Sequence, residues 1–331
     1  MNTFKKNNYG MKIALSFVLI LGTLSVFAQQ ENFEAKEKQW IRENHIKTRT
    51  QNDHSYVNGK PASKGYTSSV TTYDQNGNIV EEVNYRRNGD VLYVNTYKYD
   101  SQGNRIEYVK YDGNREKINY KQSFIFDGKG NKLIETGYNG ADHYKNTYKY
   151  DGQGNLREIN YYVDDKLDEQ RLLRRDGNLT EIKIYDGQGA FKFTLLNRYD
   201  NRKNLIEELK NEVNNTTSRK VNYDYDQQAN LSEEVKYLYG NFTYKMTYKY
   251  DKNNNLLEVQ EEKPGAEPYL LKKYTYTPEG TLTREQWRPD AGKKFSVKEY
   301  TYDSSGKVTT IDCFFASYNF KVLYKFKYDY F

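Results

Sequence analysis

An all-β fold is what this sequence predicts: one long antiparallel meander of about 21 strands, built from β-hairpin repeats of about 25 residues and coiling on itself, behind a short N-terminal helix. Three observations carry the expectation. Aligned on a Tyr-Asp dipeptide, an Asp recurs at Asp74, Asp100, Asp127, Asp151, Asp176, Asp200, Asp226, Asp251, Asp303 and Asp329, with Thr277 in the Asp place, at gaps of 24 to 27 residues. The residue before it is aromatic in ten of eleven copies, Arg175 being the exception, and aromatic and polar residues alternate upstream with the period of a strand. Behind the Asp comes Asp-x-x-Gly-Asn, as in Asp74 to Asn78 and Asp151 to Asn155, which suits a type I turn closed by a Gly bulge.

Residues 1–28 open the chain with Lys5, Lys6 and Lys12, then an uncharged apolar run from Ile13 to Phe27, then Ala28. This basic, apolar, small-residue order reads as a cleavable secretory signal peptide. The competing membrane anchor would need about 20 apolar residues. Cleavage removes three lysines and no acid, so the net charge falls from +6 to +3. A chain so weakly basic lacks the clustered charge of a nucleic-acid surface, and no stable membrane span is expected after cleavage.

Residues 29–65 form a helix and linker cap. Glu31 to Thr48 is charged with spaced apolar residues (Phe33, Trp40, Ile41, Ile46) and reads as a short helix covering the first edge strand, and Asn58-Gly59-Lys60-Pro61 reads as a turn. Residues 66–331 are the repeat domain. Each repeat has an aromatic strand ending at Tyr-Asp, the turn, and a second strand that begins with an aliphatic residue such as Ile79, Leu156, Leu205 or Leu231 and continues with charges. Where Gly is replaced in the turn, Asn254 takes its place and tolerates positive φ. The mean hydropathy of −1.04 excludes a large aliphatic core, yet 16% aromatic content excludes ordinary disorder. Rows of Tyr rings, each with a hydroxyl at the wet end, are expected to take the place of aliphatic filling. A β-propeller is the runner-up, but its blades would group the hairpins in pairs and the gaps show no pairing.

The unit Tyr148-Lys149-Tyr150-Asp151-Gly152-Gln153-Gly154-Asn155-Leu156 resembles the YD repeat of the RHS family of secreted bacterial proteins, over residues 66–329. In the large members of that family such repeats form a spiralling β-shell around a C-terminal toxin. This chain is far shorter, has Asn where the family often has Arg after Gly, and closes on strand residues Tyr324 to Phe331. The resemblance therefore implies a short secreted form without a toxin domain.

Candidate chemistry is thin. His45, His54 and His143 lack ligand spacing and read as solvated surface residues; Cys313 reads as a buried, inert thiol. Each Asp turn offers too few oxygens for calcium, so no metal or cofactor is expected. The pairs Glu81-Glu82, Glu207-Glu208 and Glu233-Glu234 invite a glycosidase reading, but adjacent strand residues point to opposite faces and the pairs recur, so they read as charges guarding half-buried strands. The chain is thus expected to be a non-catalytic exported binding or structural module of the periplasm, cell surface or medium. Its expected partner is a glycan or an envelope or surface protein, not nucleic acid. The rings expected to meet a sugar are Tyr97, Tyr99, Tyr148, Tyr150, Tyr223, Tyr225, Tyr248 and Tyr250. The alternatives are a protein-binding or adhesion scaffold, an RHS-like shell fragment linked to toxin systems, an outer-membrane β-barrel, and a carbohydrate-active enzyme. Glu81, sharing a face with Ile79 and Val83, weighs against the barrel.

Overall fold

The computed structural model describes residue 35 and residues 37–331; the expected signal segment lies outside the described residues. Residues 37–43 are helical. β1 (Ile46–Val57) follows, with a two-residue β2 (Lys60–Pro61) folded back on its end. The repeats then supply β3 (Tyr66–Tyr73) with β4 (Ile79–Tyr85), β5 (Val91–Tyr99) with β6 (Arg105–Asp112), and β7 (Ile118–Phe126) with β8 (Lys132–Tyr138). They continue as β9 (His143–Tyr150), β10 (Leu156–Val163), β11 (Lys166–Asp176), β12 (Leu179–Asp186), β13 (Phe191–Tyr199), β14 (Leu205–Glu212), β15 (Thr217–Tyr225) and β16 (Leu231–Leu238). The last are β17 (Asn241–Tyr250), β18 (Leu256–Glu262), β19 (Tyr269–Tyr276), β20 (Leu282–Trp287), β21 (Ser296–Tyr302), β22 (Val308–Phe315) and β23 (Phe320–Tyr330).

From β3 to β23 consecutive strands pair antiparallel, as a meander requires. The expectation of an open meander coiling on itself is overturned, because the sheet closes into a 22-strand β-barrel. The closing element is β1. It pairs with the last strand (Arg49 opposite Tyr328, Asp53 opposite Tyr324) and with the first repeat strand (Arg49 opposite Thr71, Thr50 opposite Val70), so neither β3 nor β23 is left as an edge. Closure removes the unpaired N–H and C=O rows that an open sheet exposes. Residues 46–57 sit inside the segment read as helix and linker. Among the described residues the helix ends at residue 43, and it covers the wall from one side instead of capping an edge.

The turns follow the sequence expectation closely. In the first, the Asp74 carboxylate accepts the backbone N–H of Asn76 at 2.9 Å, that of Asn78 at 2.8 Å and the Asn78 side-chain amide at 2.8 Å, while the Gly77 N–H donates to the Asp74 carbonyl at 3.0 Å. The same set recurs at Asp100, Asp127 and Asp251. Gly77 has a second reason to be glycine: a Cβ there would lie 2.3 Å from the Lys38 carbonyl oxygen, where the helix crosses the turn. Asn254 does sit at positive φ (64°), and so do Lys203 (71°) and Ala229 (65°) at the equivalent place.

A one-residue register shift accompanies most of these turns, for instance between Thr72 and Tyr73 and between Arg198 and Tyr199. It has a consequence for the faces. The shift sets the first aliphatic residue of the second strand opposite the Tyr before Asp: Ile79 opposite Tyr73, Leu205 opposite Tyr199, Leu231 opposite Tyr225. Ile79 therefore joins the tyrosine face and does not share the face of Glu81, contrary to simple alternation. Among the described strands the main packing is between ladder neighbours. Buried hydrophobic side chains gather in two small clusters: Tyr199, Leu205, Val221, Tyr223 and Leu231, and, under the helix, Ile41, Ile46 and Tyr73 with Trp40, Ile79 and Tyr328 against them.

Candidate functional site

The tyrosines expected to bind ligand all lie on one face. Cross-strand pairing puts Tyr97 opposite Tyr108, Tyr148 opposite Ile159, Tyr223 opposite Glu234 and Tyr248 opposite Val259, with Tyr99, Tyr150, Tyr225 and Tyr250 two residues further along the same strands. Tyr148 and Tyr223 are buried and the other six are half-buried.

Their hydroxyls are used within the wall. In most units the Tyr before the turn Asp donates to the carbonyl of the first aliphatic or equivalent residue in the preceding unit: Tyr99 to Ile79 at 3.0 Å, Tyr150 to Lys132 at 3.0 Å, Tyr225 to Leu205 at 2.8 Å and Tyr250 to Leu231 at 2.9 Å. Tyr276, Tyr302 and Tyr328 repeat the bond. This tie joins one unit to the next and leaves the phenol neutral in a half-buried place. Burial, reinforced by nearby carboxylates, pushes Tyr225 and Tyr276 up to about 12.

The tyrosines two residues earlier meet a row of carboxylates. Tyr97 donates to Glu82 at 2.5 Å, Tyr148 to Glu135 at 3.0 Å and Tyr300 to Glu285 at 3.2 Å; Tyr244 donates to Glu234 at 2.5 Å. Glu208 takes the same place and is bonded by Arg219. These acids stand eight residues after the turn Asp or its Thr277 substitute, a fixed spacing that the sequence displays and that reading them as guard charges missed. Glu135 and Glu208 are only 5% and 3% exposed, so they are interior acceptors. Burial raises the Glu208 pKa despite the adjacent Arg219.

The other face is a charge ladder. Glu81, Glu207 and Glu233 point here, away from Glu82, Glu208 and Glu234, so the paired carboxylates do part to opposite sides. Glu107 is held between Lys98 at 2.7 Å and Lys121 at 2.9 Å, and Glu207 between Arg198 at 2.8 Å and Lys220 at 3.0 Å. Exposed pairs of this kind add little stability, but they keep the face wet.

Of the histidines, His54 is not a surface residue: it is 7% exposed, with Nδ1 2.8 Å from the Ala62 carbonyl, because β1 draws it into the barrel wall. His143 is exposed and stacks beside Tyr138. Cys313 is buried, and burial pushes its thiol up to about 12. Among the described residues no group of three or more His, Cys, Asp or Glu is placed to hold a metal, and no helix is long and apolar enough to cross a membrane.

Neighbouring rings also cover one another. Tyr97 and Tyr108 stack at 5.2 Å between centroids with planes 28° apart, and Tyr120 follows at 5.6 Å and 48°. Such a ladder presents ring edges and hydroxyls rather than open ring faces.

No family model matches the chain, and no curated protein matches it. Solved structures similar to it include a porin-like protein from Bacteroides uniformis, with TM-score 0.30 and 9% identity, covering 86% of this chain and 98% of that one. A porin-like protein from Bacteroides vulgatus has TM-score 0.24 and 10% identity over 86% and 98% of the two chains. The TcdB2-TccC3-Cdc42 structure has TM-score 0.22 and 12% identity over 74% of this chain; the chain spans 19% of that one.

Proposed function

We propose that this chain is an exported β-barrel repeat protein of the cell envelope that works by binding, with glycan as its ligand class. The observation that carries the reading is a closed, edge-free wall in which both faces are charged. Lys110, Glu135, Lys210 and Glu234 lie on the tyrosine face; Glu107, Lys121, Glu207 and Lys220 lie on the other. A wall of this kind suits an aqueous compartment. Recurrence supports a non-catalytic role, since the Tyr–Glu contact is built several times over, whereas an active site is unique.

A second reading, an outer-membrane barrel, is favoured by the closed antiparallel ring with an even number of strands. Its difficulty is physical. A lipid-facing wall needs an apolar band, and a Lys or Arg at mid-bilayer costs about 2–4 kcal/mol. Whichever face is turned outward carries several.

Fractionation with glycan-array binding separates the readings. The expected result is a protein beginning at Gln29 that is released without detergent and binds glycan. Retention in alkali-washed membranes would establish the embedded barrel instead, and release without glycan binding would leave a structural or protein-binding scaffold.

A further inference from the structure

Five of the ten units carry Glu eight residues after the turn residue; four others carry Ile or Val there, and the remaining one carries an aromatic ring beside a groove. Where five units place Glu eight residues after the turn, the unit beginning at Asp100 has Tyr108. Its ring stacks on Tyr97, and its hydroxyl donates to Asn95 at 3.2 Å. Around it lies a groove of about 710 Å³ lined by Tyr97, Tyr108, Tyr120, Arg105, Lys110 and Asn119 among others, and no carboxylate lines it. Glu82, bonded to Tyr97, is the nearest acid that the tyrosines sense.

Arg105 and Lys110 make no ion pair among the described residues; they rest against aromatic rings, Arg105 over Phe124 at 5.9 Å and Lys110 over Tyr93 at 4.1 Å. On the following unit the corresponding face has a buried Glu beside its cation, Glu135 with Lys132 at 3.1 Å. Here that acid is missing. Five residues separate Arg105 from Lys110 along β6, roughly 15 Å at the usual rise of a strand. That spacing suits an extended chain bearing repeated carboxylates.

We infer that this groove binds a carboxylate-bearing oligosaccharide, with its acids on Arg105 and Lys110 and its hydroxyls on the tyrosine hydroxyls and Asn119. The positive edges of the stacked rings suit an anion as well. A single-stranded nucleic acid would need open ring faces for its bases, and here the rings cover each other. The inference rests on the glycan reading above and narrows it.

The test is titration of the full mature chain with an oligogalacturonate and with its neutral methyl ester, at low and moderate salt. The acidic form should bind at least tenfold more tightly, with the advantage shrinking as salt rises. Tyr108→Glu installs the residue that five other units carry, so it should fold, and it should weaken acidic binding at least tenfold. Arg105→Gln with Lys110→Gln should bring the two forms to similar affinity. Equal affinity of the unaltered chain for both forms would remove this inference and keep the glycan reading; no affinity for either would remove both. An acidic preference that survives in both variants places the site elsewhere and overturns the assignment, as would tighter binding of a single-stranded oligonucleotide of equal charge.

Discussion

At the scale of the residue, the tie from Tyr to the carbonyl one unit back decides what a hydroxyl is worth. Tyr225 donates to the Leu205 carbonyl, and Tyr225→Phe leaves that oxygen without this partner at a cost of about 1 kcal/mol. Tyr73 occupies the same place in the first unit, but the strand before it is β1 and not a repeat strand, and its buried hydroxyl has no hydrogen-bond partner. Tyr73→Phe should therefore be neutral or slightly stabilising. Urea unfolding of both variants checks the contrast; equal losses would show that the hydroxyl tie is not what distinguishes them. Ala229 offers a prediction of opposite sign. It holds a positive φ of 65° in a turn position that most units give to Gly, so Ala229→Gly should raise stability by roughly 1 kcal/mol, whereas Gly154→Ala in an equivalent turn should lower it by a similar amount.

At the scale of the element, the hairpin was legible and the closing strand was not. Aromatic alternation ending at Tyr-Asp, in most units with Gly three residues on, marked the repeat hairpins, because strand period and turn chemistry are both local. β1 carries neither signal: Lys47 to Ser55 alternates charged and polar residues, with no aromatic row and no Asp-Gly turn. Its strand conformation is imposed by two partners more than 200 residues apart in sequence, β3 and β23. The carboxylates facing the tyrosines were hidden for a related reason, since a charge in a strand reads as exposed until its cross-strand acceptor role is known. The helix was found, but its end was misplaced: Ile46, buried in one cluster with Ile41, opens β1. The role of β1 can be tested directly. Thr50→Pro removes an N–H inside the closing strand and leaves a partner carbonyl unpaired, on the order of 1–3 kcal/mol. Hydrogen exchange should then accelerate in β3 and β23 first, with concentration-dependent association through the freed edges. Acceleration spread evenly around the barrel would show that β1 is not a separable seam.

At the scale of the whole molecule, the two recurring hydrogen-bond devices set opposite limits on pH. Hydrogen bonds from turn groups hold the Asp carboxylates low: the Asn155 backbone N–H, with its amide and Arg157, brings Asp151 to about 2, and the Ser305 hydroxyl with the Lys307 N–H brings Asp303 to about 2. The folded chain therefore binds fewer protons than the unfolded chain in acid. Stability from the turns is complete above about pH 4 and is lost as pH falls towards 2. The tyrosines act in the other direction. Burial raises Tyr225, Tyr274, Tyr276 and Tyr328 to about 12, so the folded wall keeps protons that an unfolded chain sheds. Their contribution is complete below about pH 10 and is lost between 10 and 12. With so many rings in one closed wall, ionisation and unfolding should be one event. Tyrosinate absorbance should stay nearly flat past pH 10 and then rise together with the loss of β-sheet circular dichroism. If the absorbance climbs smoothly from pH 10 while the sheet signal persists, the rings are open to solvent, and the barrel is held by its backbone ladders without the tyrosine ties.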